Sequence, residues 1–299
     1  MSLLNKLVVT TMPLIPKPIV GRVARRYIAG TTLADGVSVV RSLNAHGMMS
    51  TMDLLGEDVT DAAEAVKVRE NILLILRAIR ENNLNSNVSI KPTQLGLSID
   101  PDLCYANLVA VLDEAKAGGN FVRIDMEDVR TTDATLNVYR KLRANGYSNT
   151  GVVIQAYLHR SEADVRALVK EGANIRLCKG IYNESPSVAF KGREEIRRNY
   201  MKLLQIILDA GTYVGIATHD DDLLNGAAEL VRKHALKPEQ YEYQMLLGVR
   251  EARRDQIVRD GHRLRVYVPY GEQWYAYSTR RLKENPSMAW YITKAIFVR

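Results

Sequence analysis

The chain has 299 residues, 46% hydrophobic and 25% charged, a globular composition with enough apolar material to bury a sizeable core. Its net charge of +7 comes from 41 Lys and Arg scattered among 34 acids, with no basic stripe of the kind a nucleic-acid binder needs. The two cysteines, Cys104 and Cys178, stand far apart and outside any CxxC spacing, so neither a disulfide framework nor a structural zinc site is expected.

The chain starts apolar, but Lys6 interrupts the run and Pro13, Pro16 and Pro18 break any helix after it. No apolar stretch approaches the roughly 20 residues needed to span a bilayer, so the expectation is a soluble, cytoplasmic protein. Helical spacing of Leu33, Val37, Val40 and Leu43 predicts a helix over 31–45, the last part of an N-terminal helical extension covering 1–45. A strand follows in MMSTMDLLGE, ending near Asp53, and then a long helix over 61–82 carried by Ala65, Val68, Ile72, Leu76 and Ile79. The second strand runs over 88–91 and stops at Pro92, which cannot donate to a central ladder. Pro101 opens a helix that Gly118 and Gly119 end near 117.

The pattern repeats along the rest of the chain. FVRIDMED ends as a strand near Asp125 and precedes a helix over 132–144; GVVIQAYL ends near Gln155 and precedes a helix over 161–170. ANIRLCKG reaches Lys179, with a helix over 187–210, and TYVGIATH delivers Thr218 and His219 at its exit, with Asp221 and Asp222 in the next helix's first turn. YEYQMLLG holds the seventh strand, around 241–246, with a helix over 249–259, and RLRVYVPYG holds the eighth, over 263–268. Its helix lies in YGEQWYAYSTRRLKENP and ends before Pro286. Eight short strands, each followed by an amphipathic helix, predict a (β/α)8 TIM-like barrel over 46–299. A doubly wound sheet is the alternative, but no strand-to-helix junction carries its GxGxxG.

A barrel of this kind gathers its functional side chains at the C-terminal ends of the strands. Those positions hold Asp53, Lys91, Asp125, Gln155, Arg176 with Lys179, Thr218 with His219, Gln244 and Tyr267. The eighth helix adds Tyr277, Arg280, Arg281 and Glu284 on one face, where two guanidinium forks suit a planar carboxylate. Cations outnumber Asp53, Glu57 and Asp125 here, so the mouth should favour a carboxylate or phosphate. Five scattered histidines make no metal constellation. A phosphate-binding aldolase or isomerase barrel would share the cationic mouth but should carry a Gly-rich seventh or eighth loop, where Gln244 and Tyr267 stand instead. A non-catalytic binding barrel is a third reading.

The segments IKPTQLG, IDMED, RLCKG, ATH, EYQML and YVPYGEQWYAYSTRRLKENP, in this order, resemble the proline dehydrogenases, flavin enzymes that oxidise L-proline to Δ1-pyrroline-5-carboxylate. The resemblance spans nearly all of the barrel, leaves the first forty residues without a motif, and matches the bacterial monofunctional members in length. It implies that Arg280 and Arg281, with Lys91, grip the substrate carboxylate, and that Leu246, Tyr267 and Tyr277 wall the pyrrolidine ring. Glu284 is placed toward the substrate amine or as a support of the cluster, and Glu57 as a gate that pairs with Arg280. Arg176 is similar to the arginine beside the flavin N5 and O4 edge, and Asp125 to the acid that positions the Lys91 region. Met126, Gln155, Cys178, Lys179, Gly180, Thr218 and His219 match the family's FAD contacts. The resemblance also implies a quinone acceptor and a peripheral encounter with the inner face of the membrane, for which Lys17, Arg22, Arg25 and Arg26 are candidate contacts. One departure is Tyr182, after KGI, where many relatives have tryptophan after KGA.

Overall fold

The computed structural model describes residues 26–56, 58–275 and 277–278. Eight parallel strands close into a barrel, each paired with the next in sequence and β8 with β1. The strands are β1 (Met49–Leu54), β2 (Ser86–Ile90), β3 (Val122–Ile124), β4 (Thr150–Gln155), β5 (Ile175–Cys178), β6 (Val214–Ala217), β7 (Tyr241–Leu246) and β8 (Leu264–Tyr270). Helix α1 (Leu33–Ala45) leads in, and seven more alternate with the strands: α2 (Ala62–Glu81), α3 (Pro101–Ala117), α4 (Thr132–Ala144), α5 (Ser161–Lys170), α6 (Arg193–Asp209), α7 (Asp221–Lys233) and α8 (Glu251–Arg259). A short 3-10 turn, Pro92–Leu95, follows β2.

Local chemistry explains the boundaries. Thr32 caps α1 by accepting from the Asp35 amide while the Asp35 carboxylate reaches back to the Thr32 amide. Asp61 caps α2 through the Glu64 amide, and Pro101 opens α3. Two expected helix starts shift. Residues 185–190 fold against the β4 exit instead, where the Ala189 strand bridge to Leu158 and the edge of Phe190 against His159 hold them. The following helix therefore begins at Arg193, after Gly192. α8 begins at Glu251 because Arg250 adopts φ 51°, off the helical path.

The apolar core lies between the barrel and its helices, whereas the barrel interior is polar. Thr51, Asn87, Ser89, Arg123, Arg176, Glu242 and Gln244 are all buried. Glu242 accepts from Arg265 at 2.7 Å and from Gln244 at 2.5 Å. Burial opposes its ionisation, but the Arg265 guanidinium outweighs that cost and holds its pKa at about 2. Gly215 makes room for this layer, since a Cβ there would lie 2.4 Å from the Gln244 amide nitrogen. No helix among the described residues is long and apolar enough to cross a membrane.

Candidate active site

A cavity of about 620 Å³ opens at the C-terminal ends of the strands. The expected positions Lys91, Asp125, Met126, Gln155, Arg176, Cys178, Lys179, Gly180, Thr218, His219, Leu246, Tyr267 and Tyr277 all line it. Glu57, Arg280, Arg281 and Glu284 lie outside the described residues.

The floor at one end is a single polar cluster. Arg176 donates to an Asp125 carboxylate oxygen at 2.8 Å, to the Ser89 hydroxyl at 3.1 Å and to the Gln244 side-chain oxygen at 2.5 Å. Asp125 also accepts from Ser89 at 2.6 Å and from the Tyr267 hydroxyl at 3.0 Å. The guanidinium lies 5.4 Å from the Tyr267 ring centroid. Lys91 donates to Asp53 at 2.7 Å and has its ammonium 3.8 Å from Asp125. Burial works against the Lys91 charge, but Asp53 and Asp125 outweigh it and raise its pKa above the ordinary lysine value. Burial, reinforced by Asp125, drives the Tyr267 phenol well above its usual range, so it remains a donor. These groups come from β1, β2, β5, β7 and β8 and the β3 exit, and the barrel register lets residues far apart in sequence form one network. Arg176, with 8% of its side chain exposed, is fixed from three directions.

The other end gathers cations on one carboxylate. Asp220, just before α7, accepts from Arg197 at 2.8 and 3.0 Å and from Lys179 at 3.3 Å, with Arg193 at 3.6 Å. Burial disfavours the Asp220 charge, but Arg197 and Lys179 hold its pKa at about 2. Arg197 also pairs with Glu194 and Asp222. Lys179 and Arg193, bound by longer contacts, keep donors facing the cavity. Gly180 sits between the two ends at φ +100°, and a Cβ there would lie 2.0 Å from the Tyr157 ring. His219 accepts the Leu246 amide on Nε2 at 2.8 Å, which leaves its hydrogen on Nδ1 and the ring neutral. Gln155 donates to the Glu127 carbonyl at 2.7 Å.

The expected cationic excess is absent among the described lining residues. Arg193, Arg197 and Arg250 join Lys91, Arg176 and Lys179, while Glu127, Asp220, Asp221 and Asp222 join Asp53 and Asp125, so six bases face six acids. The sequence reading placed Asp221 and Asp222 in a helix's first turn and did not place Asp220, Arg193 or Arg197 at the site at all. Ser89 and Glu127 were also missed: Ser89 lies inside a strand and Glu127 inside the segment IDMED, and their contacts join different strands. Alternation along β2 was the available signal for Ser89, since it shares a face with Lys91. Arg26 donates to the Gly248 carbonyl at 3.1 Å and pairs with Glu251 at 3.3 Å, which ties it to the barrel.

The arrangement can hold an anionic, elongated ligand along its cations and set a fixed guanidinium beside a reacting group. A family model for proline dehydrogenase matches residues 37–293. The chain is 39% identical over 273 residues to proline dehydrogenase 1 of Bacillus subtilis strain 168, covering 91% of this chain and 90% of that one. It is 33% identical over 277 residues to proline dehydrogenase of Deinococcus radiodurans, covering 91% and 89%. A solved structure of proline utilization A from Bdellovibrio bacteriovorus, inactivated by N-propargylglycine, superposes with a TM-score of 0.82 at 26% identity. That match covers 92% of this chain and 34% of the larger protein.

Proposed function

Because the chain belongs to the proline dehydrogenase family, whose members are oxidoreductases of proline catabolism, we propose that it oxidises L-proline to Δ1-pyrroline-5-carboxylate with FAD bound along the cavity. This would be the first step in converting proline to glutamate, with the electrons passed on to a quinone. The observation that carries the reading is the Arg176–Asp125–Tyr267–Lys91 cluster at the strand ends, built from the residues that resemble the family's site.

The donor set fits the cofactor. Lys179 and Arg193 have donors for a diphosphate, Gly180 lets the backbone approach closely, and Arg176 offers a fixed guanidinium for an electron-rich ring edge. When bound, FAD supplies the two-electron acceptor for the substrate's C5 hydride. The chain's own residues position the reactants. Asp125 and Gln244 hold Arg176 in place before reaction, so it stabilises growing negative charge with no reorganisation. Lys91 stays protonated beside Asp53 and, with Arg280 and Arg281, neutralises the substrate carboxylate. Leu246, Tyr267 and Tyr277 exclude water from the ring, Glu284 faces the amine or holds the cluster, and Glu57 closes on Arg280 as a gate. These roles of Arg280, Arg281, Glu284 and Glu57 rest on the resemblance, as do the quinone and a peripheral membrane encounter.

Turnover of L-proline with an artificial acceptor tests the reading. L-proline should be oxidised in clear preference to D-proline. Arg281→Met should raise KM for L-proline far more than it lowers flavin content, and Arg176→Ala should slow flavin reduction or weaken FAD binding. A protein that turns over no proline would refute the proposal.

A further inference from the structure

Beside the main cavity lies a second, of about 820 Å³, lined by residues that include Asp58, Thr93 and Glu127. The two share four walls: Lys91, Glu127, Tyr182 and Tyr277. Glu127 is buried at 6% exposure, whereas Asp58 is exposed. Thr93, in the 3-10 turn after β2, stands between them. Its hydroxyl lies 2.6 Å from a Glu127 carboxyl oxygen and 2.9 Å from an Asp58 carboxyl oxygen, and its amide donates to the other Glu127 oxygen at 3.0 Å.

A threonine hydroxyl has one hydrogen and lone pairs to accept with. It can satisfy two carboxyl groups fully only if one of them is protonated and donates to it. Burial favours Glu127 as the holder. Its desolvation raises the pKa above the usual carboxylate value, against the bonds from Thr93 and the charge of Lys91, and Asp58 adds to the rise. Among the described residues, the other ionisable groups near it are the Cys104 thiol from α3 and, around the second cavity, Asp128, Arg130, Tyr182 and Tyr277. Cys104 is itself driven up to about 12 by burial and by Glu127, so it stays neutral.

We propose that Glu127, Thr93 and Asp58 form a proton exit from the substrate cavity to solvent. The inference rests on the proline-oxidation reading. In that reaction the substrate's secondary ammonium loses a proton, its C5–H bond breaks as hydride passes to the oxidised flavin, and the nitrogen lone pair becomes the C=N bond. The lost proton leaves by exchange. The Glu127 O–H breaks as a Thr93 O–H forms, the original Thr93 hydrogen passes to Asp58, and Asp58 releases it to water. Glu127 is then re-protonated from the cavity side. Glu127 and Thr93 act through the route, not on the substrate carbon.

Two measurements on the flavin-loaded enzyme test the route. Infrared spectra of the resting protein should show a protonated-carboxyl C=O band near neutral pH that Glu127→Gln removes. Stopped-flow flavin reduction by L-proline should slow by about 10²-fold in Thr93→Val, the low end of what a positioned proton-transfer group contributes. The solvent deuterium isotope effect should grow, the acid limb of the pH profile should move to higher pH, and Thr93→Ser should restore all three. Absence of the band, or a Thr93→Val enzyme with wild-type rate, isotope effect and pH profile, overturns the relay while leaving proline oxidation standing. A wild-type flavin that L-proline does not reduce overturns proline oxidation itself, and with it the relay.

Discussion

Asp125→Ala removes the carboxylate that organises the cavity floor. The wild-type side chain accepts from Arg176 at 2.8 Å, Ser89 at 2.6 Å and Tyr267 at 3.0 Å, and it lies 3.8 Å from the Lys91 ammonium. Without it Arg176, buried at 6% exposure, keeps among the described residues only neutral hydrogen-bond partners, Ser89 and Gln244. Breaking a buried ion pair from one side costs about 3–5 kcal/mol, because an uncompensated charge remains. Urea unfolding at neutral pH should show a loss of that size. Arg176→Met in the same background removes the stranded charge, so the double variant should be more stable than the sum of the two single changes, with a coupling of about 1–3 kcal/mol. A loss below about 1 kcal/mol for Asp125→Ala, the range of exposed pairs, would refute the reasoning, as would strict additivity.

The Arg265–Glu242 pair deeper in the barrel gives a second stability prediction. Arg265→Met should cost about 3–5 kcal/mol, and adding Glu242→Gln should recover a large part of it. The pH dependence has a definite sign. The folded pKa of about 2 lies below the ordinary glutamate value of about 4.3, so the stabilisation is present above about pH 4.3 and is lost as pH falls through about 2. Circular dichroism against pH should therefore place acid unfolding of Arg265→Met at a higher pH than wild type, and coincident curves would contradict the pairing. Gly180→Ala should lower the flavin-to-protein ratio, because φ +100° and the Tyr157 ring both resist a Cβ, with strain of about 1–3 kcal/mol. Unchanged flavin content would show that this turn does not shape the cofactor's path.

Much of the barrel was legible because each strand is short and most of the intervening helices bury one apolar face. The extents of Thr132–Ala144, Ser161–Lys170 and Tyr241–Leu246 match the expectation. Two helix starts were not, for local reasons. The run through Val188 and Phe190 looks amphipathic but packs as a loop on Leu158 and His159, and Arg250 leaves the helical region. That the strand ends meet was legible through the geometry of the fold alone, and the structure brings Lys91, Asp125, Arg176 and Tyr267 into one cavity as that rule expects. Pairings across strands were not. Ser89 and Asp125 are 36 positions apart, and Thr93 and Glu127 are 34 apart, so nothing local in either segment marks the bond. The charges at the mouth were counted incompletely for the same reason, since Arg193 and Arg197 come from a helix face and Asp220 from a loop.

An absorbance spectrum of the purified protein, before and after L-proline is added without oxygen, tests the central claim most directly. A yellow protein whose flavin bands bleach with L-proline, and less with D-proline, is the predicted result. Flavin bands that L-proline leaves unchanged, or a colourless protein that also fails to take up FAD, would contradict it.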